Sequence, residues 1–135
     1  MSLKTGVGII IEHQGKILMG KRKGGYAPYY SIPGGSLEEG ETFEEAAIRE
    51  VKEETNLNIT NLKVISVTNN LKTFQKEGIH FVSIILYTNE FSNELKVCEP
   101  DKCESWEWYN PRNLPQPHFE ASELSIRNYL NKKFY

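Results

Sequence analysis

Residues 33–57 read PGGSLEEGETFEEAAIREVKEETNL, and the pattern within them predicts a glycine-rich turn followed by a helix. Thr42 and Glu45 stand three apart ahead of an apolar repeat. This is the spacing of a capping box, in which hydroxyl and carboxylate each satisfy a backbone N–H of the first turn. Phe43, Ala47, Ile48 and Val51 recur at helical spacing and are expected to form the stripe that faces the core. At about 100° per residue, Glu50 and Glu54 project about 40° apart and Glu50 and Glu53 about 60° apart. Three carboxylates therefore share one edge of the apolar face. Like charges so placed oppose one another, and they lie toward the helix C-terminus, where the macrodipole disfavours anions. A solvated acidic face is one reading. The other is a site for a hard divalent cation such as Mg²⁺ or Mn²⁺, whose charge cancels the repulsion. Pro33-Gly34-Gly35 favours the second, because a glycine turn leading into a helix admits close approach of phosphate-bearing ligands.

The charge map isolates this stretch. The 135-residue chain carries a net charge of −2, and of its 18 acids only Asp101 is an aspartate. Eight glutamates lie in residues 38–54 against Arg49 and Lys52, so this window carries −6 and the remainder +4.

Outward from the helix, the chain alternates strands and loops. Gly6–His13 reads as a buried strand, Gln14-Gly15 as a hairpin turn and Lys16–Arg22 as the return strand. A glycine- and tyrosine-rich loop leads to a short strand at Tyr30–Ile32. Beyond the helix, β-branched and aromatic residues predict strands around 62–70, 79–88 and 105–109. The tail from Glu120 to about Lys132 predicts a terminal helix, with Leu124, Ile126 and Leu130 available for packing. The order β, β, β, α, β, β, β, α argues for an α/β (α+β) domain, a mixed sheet packed by helices.

Length and composition remove several classes. One domain over residues 1–135 is expected. No run approaches the roughly 18–20 apolar residues that span a bilayer, and the N-terminus lacks the apolar region of a secretory signal. Cys98 and Cys103 make neither a disulfide framework nor a four-ligand zinc site, which fits reduced thiols in the cytoplasm. A charge of −2 gives no pull on a nucleic-acid polymer.

Gly35, five residues, Glu41, seven residues, then Arg49-Glu50-Val51-Lys52-Glu53-Glu54-Thr55-Asn56-Leu57 resembles the Nudix box at residues 35–57. Every fixed position matches except the final glycine, which is Asn56 here; asparagine is the usual second choice for a left-handed helix C-cap. The resemblance implies the Nudix α/β/α sandwich and hydrolysis of a nucleoside diphosphate linked to another group, with Mg²⁺ or Mn²⁺. It implies that Glu50, Glu53 and Glu54 bind metal, joined by the Gly34 carbonyl, and that these carboxylates carry the catalysis. Glu53 or Glu50 takes the proton of the attacking water, and the choice stays open. Glu41 and Arg49 look like a structural pair pinning the loop to the helix.

Outside the box, residues 18–35 and 99–108 are similar to a nucleotide-triphosphate branch of the family. This branch includes MutT-like sanitising enzymes and enzymes acting on thiopurine nucleotides. That likeness places Arg22 and Lys21 at the phosphates, Gly35 at the substrate and Ser31, Ile32 and Ser83 in the pocket wall. Phe119 closes the pocket as a stacking ring, and Glu104 supplies an extra carboxylate toward the metal, with Glu99 equally placed by spacing. Trp106 and Trp108 are read as core or wall, and His80 as a satisfied structural histidine. Tyr26, Tyr29 and Tyr30 edge the site.

The resulting expectation is a homodimeric, Mg²⁺-dependent hydrolase of nucleoside triphosphates yielding monophosphate and pyrophosphate. Other diphosphates are the alternative: a nucleotide sugar, ADP-ribose, a dinucleoside polyphosphate or a prenyl diphosphate. Around Lys72-Thr73-Phe74 the chain has neither the proline usual in ADP-ribose hydrolases nor the tyrosine of dinucleoside polyphosphate enzymes. A non-catalytic nucleotide-binding domain would ordinarily lose box carboxylates, and all three are present.

Overall fold

The computed structural model describes residues 3–24 and 29–135. Its elements run β1 (Lys4–His13), β2 (Lys16–Arg22), β3 (Tyr30–Ser31), β4 (Gly34–Ser36), α1 (Phe43–Thr55), β5 (Asn58–Thr60) and β6 (Lys63–Asn69). They continue through α2 (Leu71–Glu77), β7 (Phe81–Thr88), β8 (Glu90–Ser92), β9 (Cys103–Tyr109) and α3 (Glu120–Asn131).

Among the described residues, seven strands form one sheet in the order β3-β2-β1-β7-β6, with β4 paired to β1 and β9 to β2. β1 runs parallel to β7 over its whole middle, and the other pairings are antiparallel, so the sheet is mixed. β5 and β8 form a separate two-stranded ribbon. The apolar run in β1 is explained by burial on both faces, as expected for a strand with layers above and below. Val7, Ile9 and Ile11 belong to one core cluster with Leu18, Ala47 and Val51. Ile10 belongs to the other, with Ile17, Met19, Ile85 and Ile126. Helix α1 thus covers one face and α3 the opposite one, giving the expected α+β layering with a mixed sheet.

The expected stripe of α1 needs correction. Phe43 and Ile48 are 37% and 44% exposed, whereas Ala46, Ala47, Val51, Glu54 and Thr55 are buried. Positions 47, 51 and 55, each four apart, face the sheet, and 46 and 54 flank them. Small alanines let the helix approach closely, and its rotation carries Glu54 inward. Four other elements were not expected: β4, the paired strands β5 and β8, and α2. The short strand expected at Tyr30–Ile32 ends at Ser31. No helix among the described residues is long and apolar enough to cross a membrane.

Candidate active site

Helix α1 begins as its sequence requires. Thr42 Oγ1 accepts from the Glu45 N–H at 3.0 Å, and Glu45 Oε1 accepts from the Thr42 N–H at 2.8 Å. One turn on, Arg49 fixes the preceding loop. Its Nε and Nη2 donate to the two oxygens of Glu41 at 2.7 and 2.9 Å, and Nη2 also reaches the Ser36 carbonyl at 3.1 Å. Such a fork is geometrically specific as well as charge-assisted. Glu41 Oε1 in turn accepts from the Glu38 N–H at 2.8 Å. The Arg49 hydrogen bond, helped by the Glu38 N–H, holds the Glu41 carboxyl down at about 2 from an ordinary 4.5, and Arg49 is raised by the same contact.

The three box carboxylates occupy different environments. Glu50 accepts from Arg49 Nη1 at 2.8 Å; its carboxylate lies against the bare Cα of Gly35, where a methyl group would collide with it. Glu54 is 6% exposed, with Oε1 buried and lacking a hydrogen-bond partner. Burial, and then the neighbouring Glu50 carboxylate, push its pKa up; Arg22 and the Gly34 N–H pull the other way. Glu53 is 54% exposed on its side chain and stands 3.8 Å from Arg49 Nη1. Among the described residues no three acidic, histidine or cysteine side chains are gathered as a metal cluster. Two crowded carboxylates with an orphaned, buried oxygen nonetheless fit a divalent cation, whose charge would remove both the repulsion and the desolvation cost.

Beside this pair opens a cavity of about 240 Å³ between the sheet and the α2 and α3 ends. Arg22, Gly34 and Gly35 line it toward the glutamates, and Ser31, Ile32, Ser83 and Phe119 line it deeper in. Six of the seven residues expected at substrate therefore line one cavity, together with Gly34, which was expected at the metal. Phe119 stacks on Tyr29 with ring centroids 5.5 Å apart. Lys21 and Glu104 are not among the lining residues; they face each other across β2 and β9 at 3.5 Å. Arg22 and Lys21 are neighbours, and the strand alternates, so one enters the cavity while the other leaves it. Glu99 pairs with Lys102 at 3.6 Å. Tyr26 lies outside the described residues. Trp106 is buried in the core and Trp108 packs against it. His80 Nε2 meets Asn69 Oδ1 at 2.6 Å, as a structural histidine should.

At the departing box position, Asn56 adopts φ 69° as the left-handed C-cap. Its Nδ2 donates to the Glu94 carbonyl at 2.9 Å, a tie that glycine would not supply. Several contributors escaped sequence reading. Asn70 and Thr73 line the cavity, and Ser122 both lines it and accepts the Ile32 N–H at 3.0 Å. Only Asn69-Asn70, a turn-forming pair at a strand end, carried any local signal.

Comparison with known proteins agrees with this arrangement. The NUDIX domain model matches residues 2–129. The ADP-ribose pyrophosphatase of Methanocaldococcus jannaschii is 35% identical over 125 residues, spanning 92% of this chain and 71% of that protein. A putative 8-oxo-dGTP diphosphatase of Bacillus subtilis is 30% identical, spanning 91% and 76%. The crystal structure of the MutT NUDIX hydrolase from Burkholderia pseudomallei aligns with a TM-score of 0.87 at 29% identity, over 94% of this chain and 98% of that one. Box, fold and relatives agree, and the chain belongs to the Nudix family as a pyrophosphohydrolase with MutT-like kin.

Proposed function

We propose that this Nudix hydrolase cleaves nucleoside triphosphates to the monophosphate and pyrophosphate, with Mg²⁺ as its ion. The observation that carries the reading is continuity: one cavity joins an apolar recess to Arg22, Gly34 and Gly35, with Glu50 and Glu54 at that end. At about 240 Å³ the recess is smaller than the roughly 300–1,000 Å³ that encloses a drug-sized ligand. It suits a nucleobase, leaving the polyphosphate along the rim. Arg22 would hold the phosphates, its Nε being buried and without a partner. The Arg49–Glu41 fork would keep the loop, and Glu50 with it, in position.

Nudix enzymes generally use divalent metals. Glu50 and Glu54 are the side chains that would hold the ion, with Glu53 and the Gly34 carbonyl as further ligands; when bound it neutralises phosphate oxygens and acidifies water. An attacking water would form the new P–O bond at the α-phosphorus as the bridging P–O bond to the β-phosphorus breaks, and the pyrophosphate would depart with the bridging oxygen. The water's proton passes to a carboxylate of the Glu50, Glu53 and Glu54 set. A homodimer and a cytoplasmic setting, one Nudix unit per chain, complete the reading.

ADP-ribose is the second reading, supported by the name of the M. jannaschii relative. Both readings share a purine nucleoside joined to a diphosphate link. Product analysis with Mg²⁺ over triphosphates and ADP-ribose separates them. Pyrophosphate and monophosphate from triphosphates, with little ADP-ribose turnover, supports the proposal; the reverse preference overturns it. Glu54→Gln should lower kcat at least about 100-fold, since even residues behind metal ligands cost 10–100-fold. Undiminished turnover in that variant sinks the site assignment.

A further inference from the structure

Where β6 passes into α2, one residue departs from its usual habit. Asn70 is the N-cap of α2, yet its side chain makes no cap bond. An N-cap asparagine ordinarily accepts from the second or third helical N–H. Here those groups, on Lys72 and Thr73, donate instead to the Glu120 carboxylate of α3 at 3.0 and 2.8 Å. Thr73 Oγ1 adds a bond to Glu120 at 2.9 Å. The local cap is replaced by a carboxylate 50 residues away in sequence, and the asparagine side chain is released.

It turns toward β7, where Nδ2 donates to the Phe81 carbonyl at 3.1 Å and to Ser83 Oγ at 3.0 Å. The Phe81 carbonyl only accepts, so the amide nitrogen must face the strand and the orientation is fixed by chemistry. Oδ1 is then left buried without a protein partner, on a residue 3% exposed that lines the cavity. An orphaned acceptor bears the full desolvation cost of its group. Capping α2 would have satisfied it. A local rule broken at a cavity wall, and compensated from elsewhere in the fold, marks function.

We propose that Asn70 is a specificity-determining residue whose Oδ1 accepts a hydrogen bond from an N–H of the bound nucleobase. The inference rests on the proposed function, which puts a base in this cavity. An amide oxygen can only accept, so it favours an amino or lactam N–H and repels a bare ring nitrogen or carbonyl at the same place. Ser31 Oγ, also buried without a partner in this cavity, is a hydroxyl that takes either role. Asn70 therefore sets the polarity of recognition, while Ile32, Phe81 and Ile85 supply apolar wall.

The test compares kcat/KM for triphosphate pairs in which one N–H-bearing group of the base is removed or blocked. Suitable pairs are adenosine against purine riboside, guanosine against inosine, and guanosine against 1-methylguanosine. The wild-type protein should disfavour at least one N–H-deleted partner about tenfold, the worth of one hydrogen bond. In Asn70→Ala and in the milder Asn70→Ser that ratio should fall to within about twofold. Thermal melting establishes that each variant is folded, and either one suffices. Equal losses across the panel, with ratios preserved, would mean that Asn70 only braces β7 and would overturn the inference. So would a wild-type protein that shows no discrimination in any pair. Failure of the wild type to turn over any triphosphate sinks the proposed function and this inference together, whereas turnover with ratios insensitive to Asn70 sinks this inference alone.

Discussion

Gly34 and Gly35 adjoin in sequence but are needed for different reasons. A methyl group on Gly34 would overlap the Val7 carbonyl oxygen, a backbone atom of the strand it pairs with. The nearest atoms a methyl group on Gly35 would meet belong to the Glu50 carboxylate, the end of a flexible side chain. Gly34→Ala must part β1 from β4 and should cost at least about 2–3 kcal/mol, the range of severe point mutations. Gly35→Ala should stay within about 1 kcal/mol of wild type while losing at least about tenfold in kcat, because displacing Glu50 by an ångström misplaces the chemistry. Urea unfolding and steady-state kinetics on both variants check the split; equal destabilisation would refute it. Sequence spacing alone showed that Glu50, Glu53 and Glu54 share one helix edge. It did not show which of them turns inward. That depends on how α1 rolls against the sheet, set by Ala46, Ala47 and Val51, and the roll buries Glu54 while leaving Glu53 in solvent.

Among the elements, α1 was legible because its signals are local: the capping box, the charge spacing and the C-cap all lie within 15 residues of sequence. Helix α2 was not, because it has no buried residue to create a periodic pattern. It is held by the Glu120 carboxylate and by Lys76 Nζ against Tyr29 Oη at 3.1 Å, contacts that span 47 residues or more of sequence. The loop before α1 depends on an interaction with a pH signature. The folded-state pKa of Glu41 lies near 2, below the ordinary 4.5, chiefly through its Arg49 hydrogen bond. A depressed carboxyl contributes stability that is present above its unfolded value and is lost as pH falls through the folded one. Between about pH 5 and 2 the wild type should therefore lose stability to urea more steeply than Glu41→Gln, whose neutral amide does not titrate. Parallel pH profiles for the two proteins would exclude the fork as the cause.

Across the whole molecule, the burial of β1 was readable from its unbroken apolar run, whereas the layering of α1 and α3 on opposite faces was implied by the family resemblance. The cavity was readable only through family resemblance, because its walls come from β1, β3, β7, α2 and α3, and no sequence period links them. The uneven charge, −6 in residues 38–54 against +4 elsewhere, now has a physical division. Glu41 and Glu50 are engaged by Arg49, Glu45 caps the helix, and Glu54 is buried against Glu50, partly offset by Arg22 but with one oxygen unpartnered. The folded state thus crowds two carboxyl groups, one of them pushed toward its protonated form, that the unfolded chain separates and hydrates. A cation that binds only the folded pair stabilises the protein by mass action. At ten times its dissociation constant, Mg²⁺ should contribute about 1.4 kcal/mol. For a chain of this size that is a rise of roughly 4–6 °C in Tm. Chelator should reverse the rise. Glu54→Gln replaces the buried acid by a neutral amide at nearly constant shape, so its Tm without metal should equal or exceed that of wild type, and its response to Mg²⁺ should shrink to less than about half. Thermal melts across a Mg²⁺ titration at constant ionic strength separate this effect from general screening. A Mg²⁺-dependent rise of the same size in Glu54→Gln would show that the ion binds elsewhere on the acidic window.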